Sequence, residues 1–157
     1  MEETPWYEEI VMPALLRHAR TTYGAAMRHA LDAAGFDDIP RNGLWVIGVL
    51  ANGAEELPLG DLVRDLRVSK QAAGQLVDTL VARGYVDRSV DSADRRKLTI
   101  ALTDRGRAAA QAQASAREAI DAELLASVGE EDVLRTRRTL AVMIDIAHRQ
   151  GGGAESD

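Results

Sequence analysis

There is no cysteine in this chain, which removes disulfides, thiolate metal sites and thiol redox sensing at a stroke. Histidine occurs only as His18, His29 and His148, far apart and without carboxylates at ligand spacing, so no metal is expected. No run of about 18 apolar residues exists to span a membrane, and the acidic start Met1-Glu2-Glu3 is unlike a signal peptide. A cytoplasmic location is therefore expected. The sequence has no nucleophile elbow, no phosphate-cradling glycine loop and no dinucleotide fingerprint. Glu130-Glu131-Asp132 reads as a helix start and not as a catalytic pair, so neither catalysis nor a cofactor is expected. Aromatics are scarce at 4%, and tryptophan is usually mostly buried, so packing is the default role for each of them. No internal repeat or low-complexity segment is visible beyond an alanine bias.

What is present begins with length and charge. One domain fits 157 residues, enough to bury a core without metals or crosslinks. The net charge of -6 argues against a nucleic-acid partner, since phosphate contacts need cations. Its distribution argues the other way. Ten Lys/Arg against seven Asp fall between Gly60 and Arg107, which leaves nine basic against eighteen acidic residues elsewhere. A local basic patch on an acidic body is what binding requires, and the residual acidity predicts weak non-specific association.

Along the chain, Thr4-Pro5 offers an N-cap and a proline at the first helical position, with Glu8-Glu9 near the positive end of the dipole. Apolar residues from Val11 to Ala30 continue a helix toward Ala34, and Pro13 either kinks it or marks its true beginning. Gly35-Phe36 breaks the pattern. A second helix is expected over about 41–51, ending at Asn52-Gly53. Leu59, Leu62, Val63 and Leu66 form a third, and Arg67-Val68 a turn with Val68 facing inward. Ser69 then caps a fourth. At about 100° per residue, Ala73, Leu76, Val77 and Leu80 share one side of it and Gln71 and Gln75 the other. Tyr85–Arg88 and Lys97–Leu102 read as two short antiparallel strands, joined by the charged turn Asp91–Lys97. From Thr103 the composition becomes that of an alanine-rich helix through Ala126. Gly129 interrupts it, and a last helix runs to about His148. The tail 150–157 is expected to be disordered.

Helix, turn, helix, hairpin with an arginine tip, helix is the order of a winged helix-turn-helix, in which the second helix enters a major groove. The stretch Leu57–Arg107 carries all of it. Here the sequence resembles the MarR family of bacterial transcription regulators, most specifically in the wing, Asp94-Arg95-Arg96, and in Leu102-Thr103-Asp104-Arg105-Gly106. The departures are Ser92, where many relatives have proline, and Gln71, Ala72 and Gln75, where relatives often carry hydroxyl residues and an arginine. The fold class expected is mainly α with a small β-hairpin wing. The winged helix-turn-helix occupies 40–105 of a single domain, flanked by dimerisation helices over 5–34 and 106–149. The resemblance implies that these flanking helices intertwine with a second subunit. The absence of cysteine excludes the peroxide-sensing mechanism of some family members.

Candidate site residues follow. Gln71 and Gln75 can pair bidentately with adenine N7 and N6, and Ala72 can touch a thymine methyl. Ser69 and Lys70, at the helix start, suit phosphate contact, helped by the free backbone N–H groups there. A guanidinium fits a narrow minor groove of enhanced negative potential. The resemblance implies that Arg96 enters that groove and that Asp94 orients it, with Arg95 beside them and Arg88 and Lys97 on flanking phosphates. Trp6, His18, Arg20, Tyr23, Met27 and Trp45, with Tyr7 and Arg41, offer aromatic and cationic groups for a small aromatic or anionic effector, as in relatives. The function expected is a homodimeric, sequence-specific regulator binding a pseudo-palindromic operator, a repressor released by a small-molecule effector. The alternative is an acidic interaction protein or antirepressor that has the winged-helix fold but does not bind DNA. An enzyme using the fold only to dimerise would need far more chain.

Overall fold

The computed structural model describes residues 4–53, 56–90 and 98–151, with the backbone alone at Val90, Gln150 and Gly151. The chain forms two compact units, Met1–Arg117 and Glu118–Asp157. In the first, a 3-10 turn Trp6–Glu8 precedes helix α1 (Met12–Ala33), α2 (Gly43–Asn52), strand β1 (Leu57–Pro58), α3 (Leu59–Leu66), α4 (Lys70–Ala82), β2 (Val86–Val90) and β3 (Leu98–Leu102). Helix α5 (Asp104–Gly151) starts in the first unit and continues through the second.

Thr4 does not start the first helix. Pro13 lies in the first turn of α1, and Val11 stands at the N-cap. A proline there has no N–H to lose and a φ already suited to the helix, whereas deeper inside it would remove a hydrogen bond and clash with the carbonyl four residues back. The second helix likewise starts at Gly43 and not at Arg41. Strand β1 has no counterpart among the sequence expectations. Two residues, one of them proline, carry no alternation to read, and the strand exists only because β3 offers it a free edge, with Leu57 opposite Ile100.

The sheet order is β1-β3-β2, all antiparallel. The β2–β3 register runs from Val86 opposite Leu102 to Val90 opposite Leu98. Buried Thr99 is satisfied by the Ser89 hydroxyl at 2.7 Å. The core draws on α1 to α5 and on all three strands, through Leu31, Val46, Ile47, Leu57, Leu62, Val77, Leu80, Val86, Ile100 and Ala109. Tyr85, between α4 and β2, is its largest fully buried side chain.

In the second unit the α5 segment bends at Gly129, whose φ of 80° and ψ of 165° leave the helical region. Glycine tolerates that φ because it has no Cβ to clash with the backbone. Among the described residues none of this unit is buried, and Leu124, Leu125, Val128, Leu134, Leu140, Met143 and Ile144 are all exposed.

Candidate nucleic-acid interface

Helix α4 is positioned from behind. On α3, Leu62 is buried and Leu59, Val63 and Leu66 pack against the core. Arg67 then takes the left-handed conformation, φ 52° and ψ 41°, which ends α3. Val68 packs inward, and Ser69 caps α4 by accepting from the Ala72 N–H at 3.1 Å. Such a cap satisfies one of the donors that a helix start leaves without a partner. Ala73, Val77 and Leu80 are buried, so the rotation of α4 is set. Lys70, Gln71, Ala72 and Gln75 consequently face solvent.

Asp78, which sequence reasoning passed over, stands seven residues after Gln71 and three after Gln75, on the same stripe. Its carboxylate pairs with the Arg88 guanidinium on β2. Arg88 is thus tied to α4 and only partly exposed, at 36%. The signal was present as helical periodicity, but the partner lies across a turn that periodicity does not describe. Asp94, Arg95, Arg96 and Lys97 lie outside the described residues, between the paired strand ends Val90 and Leu98.

A clamp at the far end of α4 ties the module together. The Tyr85 hydroxyl donates to the Asp38 carboxylate, and Arg105 donates to Tyr85 at 3.0 Å and to Asp38 at 3.3 Å. The guanidinium lies 4.7 Å from the Tyr85 ring centroid and 5.5 Å from that of Phe36, within the range for cation–π attraction. Arg83 donates to the Asp38 backbone carbonyl. The Tyr85 hydrogen bond, with help from Arg105, holds the Asp38 carboxyl below its usual range, and burial pushes the Tyr85 phenol up. Thr103 caps α5: its hydroxyl donates to the Gly84 carbonyl at 2.6 Å and accepts from the Gly106 N–H at 3.0 Å. Gly106 has no freedom to be larger, because a Cβ there would collide with the Tyr85 carbonyl oxygen.

A cavity of about 890 Å³ opens between α1 and α2. Arg20, Tyr23, Met27, Arg41 and Trp45 of the expected effector residues line it, together with Arg17, Arg28 and Gln113. Trp6 and His18 do not. Trp6 belongs to the 3-10 turn ahead of α1, and His18, about 100° around the helix from Arg17, is exposed outside the lining. Among the described residues no group of three or more His, Asp or Glu is placed to hold a metal ion, and no helix is long and apolar enough to cross a membrane.

Residues 37–97, from the clamp's Asp38 through α4 to the wing, match the model of the MarR family. The winged module is thus similar to that of the MarR family. Members of the MarR family are transcription regulators, not enzymes. No curated protein sequence gives a significant match. Among solved structures, the chain is similar to FabT of Streptococcus pneumoniae in complex with DNA, at 18% identity and a TM-score of 0.76, over 88% of this chain and 96% of that one. It is also similar to the Staphylococcus aureus MepR–DNA complex, at 22% identity and a TM-score of 0.69, over 87% and 98%. Wild-type MarR of E. coli in its apo form matches at 21% identity and a TM-score of 0.63, over 85% and 96%. At such identities the likeness establishes the MarR winged-helix fold.

Proposed function

We propose that this chain is a homodimeric, sequence-specific DNA-binding transcription regulator, a repressor that a small-molecule effector releases from its operator. The observation that carries the reading is α4 itself. Its back is locked by Ala73, Val77 and Leu80, while Lys70, Gln71 and Ala72 in its first turn and Gln75 one turn beyond Gln71 stand exposed after a capped start. An exposed amide pair on a rigidly held helix is what direct readout of a major groove requires. The second unit supports a dimer, since its exposed leucines, valines and isoleucines lack cover among the described residues. Burying apolar surface is worth about 25 cal/mol per Å². Two reading heads would then meet successive major grooves, with the wings in the adjacent minor grooves. The cavity between α1 and α2 supplies the place for an effector, with Arg20, Tyr23, Met27 and Trp45 in its wall. Such a ligand acts by binding one conformation of the dimer more tightly than the other.

The test is selection of bound sequences from random duplex DNA, followed by affinity measurements at several salt concentrations. A DNA binder loses affinity steeply with salt, because neutralised phosphates release counterions. Arg96→Ala should weaken operator binding by about 1–3 kcal/mol at fixed salt without changing the folded state. Asp94→Ala should weaken it less. Unchanged affinity in Arg96→Ala removes the wing from the mechanism, and no selected sequence with no salt slope favours the acidic interaction protein instead.

A further inference from the structure

The whole chain is acidic, yet no acidic residue lies between Glu9 and Asp32, where Arg17, Arg20 and Arg28 fall. All three line the cavity between α1 and α2, and Arg41 joins them from the segment ahead of α2. No carboxylate lines it among the described residues. Arg28 spends one donor on the Ile39 carbonyl at 3.0 Å, and a guanidinium has five. The side chains of Arg17, Arg20 and Arg41 have no hydrogen bond or ion pair among the described residues. The α2 side brings Leu44, Trp45 and Val49 together with Asn42 and Asn52, and Met27 on α1 and Leu66 on α3 add further apolar surface. Four cations converging on one space repel each other, and a neutral or singly charged occupant leaves most of that repulsion in place. Guanidinium forks match carboxylate and phosphate oxygens bidentately, and their planes stack on aromatic faces. The volume is within the range of small-molecule sites.

We propose that this cavity takes a polyanionic small molecule: a flat apolar body against Trp45 and Met27, carrying two or more carboxylate or phosphate groups for the arginines. The proposal rests on the effector reading above and narrows it to ligands of multiple negative charge. Arg20 and Arg41 are the residues that set the charge preference, because they are exposed, unpaired among the described residues and on different segments of the wall.

Three probes share one ring and differ only in charge: benzoate, isophthalate and trimesate. Calorimetric titration of the full-length protein at constant ionic strength should show trimesate binding at least about tenfold more tightly than benzoate. The double variant Arg20→Gln/Arg41→Gln should weaken trimesate by a far larger factor than benzoate and so remove most of the difference between them, with an unaltered circular dichroism melt. Equal affinity for all three probes overturns the polyanion inference while the effector reading stands. No binding of any probe overturns both. If the double variant loses operator affinity but keeps its trimesate preference, these arginines serve DNA phosphates and the inference is wrong.

Discussion

Tyr85 is fully buried, its hydroxyl meets Asp38 and Arg105, and those three side chains join the loop after α1 to the start of α5. Tyr85→Phe keeps the ring, its packing and the cation–π contact and deletes only the hydroxyl. A net hydrogen bond contributes about 0.5–1.5 kcal/mol, somewhat more when a partner is charged, so the variant should lose about 1–2 kcal/mol in denaturant unfolding at neutral pH. Because the Asp38 carboxyl is lowered chiefly by the Tyr85 hydrogen bond, its contribution is present above the ordinary carboxylate pKa. That contribution disappears as pH falls through the lowered folded value. The gap between wild type and Tyr85→Phe should therefore be widest near neutrality and close below about pH 4. On the alkaline side the raised Tyr85 phenol keeps the neutral form favoured in the folded state. That contribution holds below the ordinary phenol pKa and is lost as pH rises past the folded one. Stability curves that stay parallel down to pH 2 would show that the clamp does not act through Asp38 ionisation.

At the scale of elements, α4, proposed as the recognition helix, depends on two separable features, a cap that starts it and a stripe that faces outward. Gln71 and Gln75 lie one turn apart on that stripe, and Lys70 sits at its first helical residue. An amide side chain can satisfy a donor and an acceptor on one base edge, whereas a lone ammonium responds mainly to charge. Gln71→Ala and Gln75→Ala should flatten discrimination at particular base pairs by about 1–3 kcal/mol. Lys70→Ala should weaken every sequence alike and reduce the salt slope by about one. Affinities over a set of single-base operator variants decide the matter. Equal losses for the glutamine variants on every sequence, random DNA included, would mean this face does not read bases.

For the whole molecule, the expectation is a dimer at micromolar concentration. Among the described residues the second unit buries no side chain fully, while Leu134 and Ile144 are each 57% exposed. Large apolar surface left open in this way is found where another chain covers it. Light scattering at about 50 μM should give twice the 17.0 kDa chain mass. A stable folded monomer at that concentration would separate this chain from the homodimer proposed for it. Replacing Leu134 and Ile144 with lysine should shift the population toward monomer while leaving the first unit folded, as its core includes neither residue.

Much of the architecture was legible in sequence because it is local. The helix-turn-helix spacing, the Ser69 cap, the buried and exposed faces of α4, the hairpin and the break at Gly129 all follow from periodicities and residue preferences within a few positions. What only tertiary structure decided is non-local. The Asp38–Tyr85–Arg105 clamp joins residues 47 and 67 positions from Asp38. Strand β1 needed the edge of β3, and Asp78 found Arg88 across a turn. Of the expected effector residues, Arg20, Tyr23, Met27, Arg41 and Trp45 came to one cavity, but Arg17 and Arg28 joined them unforeseen. Periodicity tells which way a residue points from its own helix, not what another helix places opposite it. That second fact depends on how the buried side chains of both helices pack, and a single stretch of sequence does not contain it.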